Sequence, residues 1–154
     1  MSGVGALDDS RVRAVSLVAT AVLVVAMITL LMRHALLAAT PIAAGVQVIA
    51  ALLMLWARLT FGARSFHAGA DPTAGGLVST GPYHLIRHPI YTAILAFTWA
   101  GVASHASAVG VALATVATAM LAVRMWAEER LLMRRLPGYP EYAARTRRVL
   151  PFVL

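Results

Sequence analysis

"AVSLVATAVLVVAMITLLM", Ala14 to Met32, contains no charged side chain, and its only polar groups are the hydroxyls of Ser16, Thr20 and Thr29. At about 1.5 Å of rise per residue, a helix of this length crosses a hydrocarbon core roughly 30 Å thick. The stretch therefore predicts a first transmembrane helix. Arg11 and Arg13 precede it as the charged start of a signal peptide would, but no small-residue cleavage site with a soluble domain follows. It is read as a mature span.

The rest of the chain has the same character. Of its 154 residues 60% are hydrophobic and only 12% charged, outside the range of soluble globular domains. Pro41 sits where a first-turn proline is tolerated, and residues 42–59 form a second span behind it. Residues 91–103 make a short third span, His105 marks a turn, and residues 106–123 make the fourth. The third and fourth read as a helical hairpin. The last helix continues through "RMWAEERLLMRRL" until Pro137 and Gly138 stop it. The expectation is a single all-α domain over residues 1–154, an integral-membrane bundle of about four transmembrane helices. With no cysteine, disulfides, thiolate chemistry and Cys-based metal sites are excluded.

All thirteen basic residues are arginine, against six acids, for a net charge of +7. Two stand before the first span, three run from the end of the second span to the start of the third (Arg58, Arg64 and Arg87), seven follow from Arg124 onward, and only Arg33 falls on the opposite side. Positive charge favours the cytoplasm, so both termini, the long loop and the tail are expected there. No nucleic-acid motif accompanies the arginines. The excess is read as topology, with no nucleic-acid partner.

Two polar clusters thus share one membrane face. Arg124 and Glu128 are four apart and lie on one helix face, with Glu129 beside them, yet arginine before glutamate is the weaker order for a simple helix-stabilising pair. They are either an interfacial ion pair whose arginine snorkels to water or a functional pair. The second cluster is "GPYHLIRHPIY", Gly81 to Tyr91. Pro89 fits the first turn of the third span, and the free amides near Ile90 and Tyr91 then favour a carboxylate or phosphate, with Arg87 and His88 adding positive charge. Alternatively the prolines only shape the loop while Tyr83 and Tyr91 anchor at the interface. His84 and His88 have the spacing of a metal-binding pair only if their segment is helical. Pro89 disfavours that and no third ligand is evident, so no metal is expected. "AGADPTAGG" lacks the order of a phosphate-cradling loop.

Together, "GGLVSTGPYHLIRHPIYTA", "RMWAEE" and "LPGYPEYAARTRRVLP" resemble the membrane methyltransferases that include isoprenylcysteine carboxyl methyltransferase and the phospholipid N-methyltransferases. The likeness covers roughly the last 85 residues and joins three motifs in order; the first two spans match only as hydrophobic helices. It implies an enzyme that uses S-adenosylmethionine, held between the loop and the C-terminal segment, to methylate a lipophilic small-molecule or lipidated substrate drawn from the membrane lipid. Carried across residue by residue, the family pattern places cofactor contacts at Gly76, Leu77, Val78 and Tyr83, the His-Pro-x-Tyr element at His88, Pro89, Ile90 and Tyr91, the cofactor-binding carboxylate at Glu128 and a substrate-engaging arginine at Arg124. The family's aromatic-Gly-x-x-Tyr-x-x-Tyr tail appears one residue shorter, from Leu136 to Tyr142. Tyr139 and Tyr142 therefore receive no role from the resemblance.

The chemistry agrees with the transfer. Leu77, Val78 and Ile90 suit the adenine, the ring of Tyr83 or Tyr91 suits a cation, the start of the third span with Arg87 or His88 suits the carboxylate, and Glu128 suits a hydroxyl or the ammonium. Methyl transfer is a direct displacement governed by alignment and charge. A carboxylate acceptor needs only an orienting cation such as Arg124, whereas an amine needs a base; the isoprenylcysteine-type carboxylate is the leading expectation, with a phospholipid amine or a thiol behind it. Two other classes are a sterol-type NADPH reductase, whose chains carry more spans, and a non-enzymatic membrane subunit, which in a transport role would carry polar residues within its spans.

Overall fold

The computed structural model describes residues 2–62 and 76–149. Residues 63–75 of the long loop, with Arg64 and Asp71, and the last residues of the tail lie outside this set. The described residues form α1 (Ser2–Met32), α2 (Pro41–Phe61), a 3-10 turn (Gly81–His84), α3 (Pro89–His105), α4 (Ala108–Arg135) and α5 (Tyr139–Arg145), with no strand among them. Thr40 caps α2, accepting from the Ala43 amide, and Pro41 occupies the first turn as its fixed φ favours. Ser107 caps α4 in the same way through Gly110.

The buried positions of α1 are Val12, Ser16, Ala19, Leu23, Ala26 and Leu30, stepping alternately by four and three. Those of α4 begin Gly110, Ala114, Ala117, Leu121 and Arg124 and repeat the rhythm. This is the seam of a left-handed pair, and its small residues let the two axes approach closely. The helices run antiparallel: Val12 meets Ala127 and Leu131, Leu23 and Ala26 meet Ala117 and Leu121, and Leu30 meets Ala114. The principal partner of α4 is thus α1, while α3 packs mainly on α2. The expected α3–α4 hairpin exists in connectivity but is the lesser contact, because the small-residue seam of α4 is taken up by α1.

Outside the seams the surface is apolar. Val18 and Val25 are each 63% exposed and Ile42 is 84% exposed. Contiguous apolar surface of that kind belongs against lipid. Among the described residues, three helices are long and apolar enough to cross a membrane: Asp8–Met32, Pro41–Phe61 and Ala108–Arg135. With 17 residues, α3 is shorter than these, and it sits between α2 and α4.

At the end opposite the polar clusters, Gln47 staples the α1–α2 connection to α3. Its amide donates to the carbonyls of Leu36 at 2.7 Å and Phe97 at 3.0 Å and its oxygen accepts from the Ala38 amide at 3.0 Å. Buried amides of this kind are stable only when satisfied on both sides. At the other end α1 reaches back beyond Arg11, where Asp8 pairs with Arg130 at 2.9 Å and Arg134 at 2.7 Å, and Asp9 pairs with Arg134 and Arg135. These pairs are exposed and contribute little stability, but they put the start of α1 and the end of α4 on one side.

Candidate functional site

Successive residues of a helix point about 100° apart, so the adjacent carboxylates of Glu128 and Glu129 address different neighbours. Glu128 turns toward the start of α3. Its Oε1 accepts from the Tyr91 hydroxyl and from Arg124 Nη2 at 3.0 Å, the i,i+4 pairing the spacing required. Glu129 turns toward the loop and the tail. Its Oε1 accepts from Arg87 Nε at 2.9 Å and lies 3.2 Å from His88 Nε2, and its Oε2 accepts from Arg148 Nε at 3.0 Å.

His88 stands between the two. Its Nδ1 is 3.7 Å from Glu128 Oε2, and its ring stacks on Tyr91 with centroids 5.4 Å apart and planes 6° from parallel. Pro89 starts α3 immediately after it, so His88 is the N-cap. His84 ends the preceding 3-10 turn. The two histidines therefore share no helix face, for the reason Pro89 supplies.

Arg124 is only 6% exposed. Its Nε donates to the Tyr91 hydroxyl at 3.0 Å, its Nη1 to Thr20 Oγ1 of α1, and its guanidinium lies 5.6 Å from the Tyr91 ring centroid. An arginine fixed by three helices does not snorkel to water. The ion pair with Glu128 is formed, at 3.0 Å, but it is buried rather than turned out to water.

The loop and tail are strapped together over the cluster. The Arg87 amide donates to the Arg147 carbonyl at 2.7 Å, the Arg147 amide to Leu85 at 3.1 Å and the His88 amide to Arg148 at 3.0 Å. The Arg87 Nη1 donates to the carbonyls of Ala143 and Thr146 at the end of α5. Gly81 turns with φ +56°, and a Cβ there would lie 2.7 Å from Thr60 Oγ1; the turn seats on the end of α2 because it carries no side chain at that point. Tyr83 packs on Phe61 with ring centroids 5.4 Å apart, and its carbonyl accepts from the Tyr142 hydroxyl at 2.8 Å. Burial pushes the Tyr142 phenol up to about 12 and those of Tyr83 and Tyr139 higher still. All three are neutral donors at physiological pH. Replacing Tyr142 with Phe is expected to cost about 1–2 kcal/mol, because the buried Tyr83 carbonyl loses its partner; a lowered thermal midpoint in detergent and faster proteolysis of the tail would register it.

The structure thus brings Arg124, Glu128, Tyr91, His88 and Arg87 into one connected cluster, with Pro89 buried behind it and Ile90 half-buried. Gly76, with φ +79°, leads an extended segment toward the turn in which Leu77 and Val78 are half-buried. The roles of Glu129 as the anchor of the strap, and of Arg148, Tyr142 and Thr20, were not read from sequence. Glu129 left a signal as a second carboxylate at the exit of an apolar helix, and Tyr142 as part of the tail motif. Thr20 looks like any hydroxyl of an apolar span.

Comparison with known proteins gives two matches. Residues 39–138 match the model of the phospholipid methyltransferase family, covering α2, the loop, α3 and all of α4. The cobalt-zinc-cadmium resistance protein CzcN of Cupriavidus metallidurans is 36% identical over 76 residues, 49% of this chain and 35% of that protein. The chain spans about a third of the length of this curated relative. No solved structure matches the chain significantly. Because the family match takes in more than half of the chain, including both helices that carry the Arg124–Glu128–Tyr91–His88 cluster, this protein belongs to the phospholipid methyltransferase family.

Proposed function

We propose that the protein is an integral-membrane methyltransferase that uses S-adenosylmethionine to methylate a lipophilic acceptor, most favourably a carboxylate of the isoprenylcysteine type. The observation that carries this reading is the difference between the two neighbouring carboxylates. Glu129 is saturated by the strap and its side chain is 8% exposed, whereas that of Glu128 is 19% exposed and takes its hydrogen bonds from Tyr91 and Arg124 on Oε1, with His88 Nδ1 3.7 Å from Oε2. Glu128 retains lone pairs for a ligand hydroxyl or ammonium.

The remaining donors suit the same cofactor. The half-buried Leu77, Val78 and Ile90 offer apolar surface to a purine, and Tyr91, stacked on His88 with the Arg124 guanidinium over its ring, ties the start of α3 to the cluster. Arg87, whose guanidinium is tied to Glu129, Ala143 and Thr146, enters as a strut that holds His88 and the tail in place. When bound, S-adenosylmethionine supplies an electrophilic methyl carbon, the electron pair of the breaking C–S bond remaining on sulfur. The protein need only exclude water and align the acceptor oxygen, which is already ionised at neutral pH. Arg124 provides the orienting positive charge in a dry setting where it is strong.

A second reading, a phospholipid amine as acceptor, is favoured by the family match and by His88 lying between two carboxylates, where a proton released from an ammonium has an acceptor. In either case the positive-inside count supports a cytoplasmic side for both termini, loop and tail, with the acceptor entering from the bilayer. Purified protein in detergent is expected to bind S-adenosylhomocysteine. Lipid extracts incubated with protein and isotopically labelled methyl donor are expected to yield a labelled lipid by mass spectrometry. Loss of the label under mild alkali identifies an ester, and its retention identifies a methylated amine. No binding and no labelled lipid would sink the reading.

A further inference from the structure

The family match begins at residue 39, so α1 stands outside it. Nevertheless α1 supplies one wall of the cluster. The Thr20 hydroxyl donates to the Ser16 carbonyl at 2.8 Å, which leaves its lone pairs to accept from Arg124 Nη1. The guanidinium therefore addresses three helices: Nε reaches Tyr91 of α3 at 3.0 Å, Nη2 reaches Glu128 of α4 at 3.0 Å, and Nη1 reaches Thr20 of α1. A guanidinium is planar and rigid, so three directions fix its plane as well as its position. Thr20 adds a third direction, from α1, to the hold that Tyr91 and Glu128 have on this guanidinium.

One turn before Thr20, Ser16 is fully buried in the α4-facing seam and its Oγ has no hydrogen-bond partner. Buried hydroxyls without partners are uncommon in folded proteins. Here a polar edge runs along α1 beside the cluster at Ser16 and Thr20, while the exposed residues around it, Leu17, Val18, Val22 and Val25, are apolar. A helix that served only to fill the bundle would need neither group.

We propose that Thr20 is a positioning residue that holds the Arg124 guanidinium in the plane required to receive the anionic head of the lipophilic acceptor, making α1 part of the acceptor side of the site. The proposal rests on the functional reading above. It predicts a separation of effects, since Thr20 touches Arg124 and has no contact with Glu128 Oε2, where the cofactor is placed.

The test compares Thr20→Val, which keeps the branched shape and removes the oxygen, with Thr20→Ser, which keeps the oxygen. In detergent-solubilised full-length protein, with N-acetyl-S-farnesylcysteine as the acceptor, Thr20→Val is expected to raise the acceptor KM about tenfold, the scale of one hydrogen bond to a charged group. Its kcat and its affinity for S-adenosylhomocysteine by calorimetry stay within about twofold, and Thr20→Ser restores the KM. A second readout needs no turnover. In protein labelled with 15N-arginine, the Arg124 Nε–H resonance, assigned through Arg124→Lys, is expected to shift or broaden in Thr20→Val and to return in Thr20→Ser. An unchanged resonance and KM in Thr20→Val overturn the proposal, as does a parallel loss of S-adenosylhomocysteine affinity. A wild type that binds no S-adenosylhomocysteine overturns the functional reading instead, and the Arg124 resonance still decides whether Thr20 positions that side chain.

Discussion

Glu128→Gln and Glu129→Gln are expected to fail in opposite ways. In Glu128→Gln the amide oxygen can still accept from Tyr91 and Arg124, so the local frame survives. The Oε2 position becomes an amide donor where a ligand hydroxyl or ammonium requires an acceptor. Losing a hydrogen bond to a charged group costs about 1.5–3 kcal/mol, which predicts a fall in S-adenosylhomocysteine affinity of about 10- to 100-fold and at least as large a loss in kcat/KM. In Glu129→Gln no cofactor contact is lost directly. Arg87 and His88, both largely buried, and the more exposed Arg148 lose the negative charge that holds them together. Removing one partner from a buried ion pair typically costs about 3–5 kcal/mol, so the expected result is a lower thermal midpoint and a tail open to protease, with activity falling as a consequence. Circular dichroism melts, limited proteolysis and calorimetry on the two variants distinguish the cases. If both variants lose stability equally and ligand affinity equally, the division of labour between the two carboxylates is wrong.

Gly101→Ala is expected to be the most damaging small substitution in the bundle. A Cβ at that position would lie 1.9 Å from the Leu36 carbonyl oxygen and 3.1 Å from Gln47 Nε2. The obstruction is backbone, so relief requires moving the α1–α2 connection and with it the bond from Gln47 to Leu36 at 2.7 Å. Alanine gains about 1 kcal/mol over glycine in helix propensity, but overpacking of this kind costs about 3 kcal/mol. The net sign is destabilising. Gly45, which has nothing within 4 Å of its Cβ position, is the control: Gly45→Ala should leave the melt unchanged or raise it. Equal midpoints for the two variants would show that the α1–α2 connection yields against Gly101 of α3.

Much of this protein is legible along the chain. Spans of apolar residues, Pro41 and Pro89 at helix starts and the stop at Pro137 and Gly138 are local signals, because helix length, proline geometry and lipid exposure are set by neighbouring residues alone. The Arg124–Glu128 face follows from a four-residue spacing in the same way, and the histidine–proline–tyrosine order marks one end of the site. A motif resemblance added which side chains to suspect.

Helix partnership was not legible. Spans of similar apolarity can pair in several ways, and the choice of α1 by α4 rests on small residues whose meaning depends on which seam they meet. The same limit hid Glu129 from its neighbour's role and Thr20 from any role. Arg87 and Arg148 lie 42 and 19 residues from Glu129, and Thr20 lies 104 residues from Arg124. Spacing along a chain reports who shares a helix face, whereas the partner of a buried charge is chosen by packing between helices, where desolvation penalises every arrangement that leaves the charge unmatched.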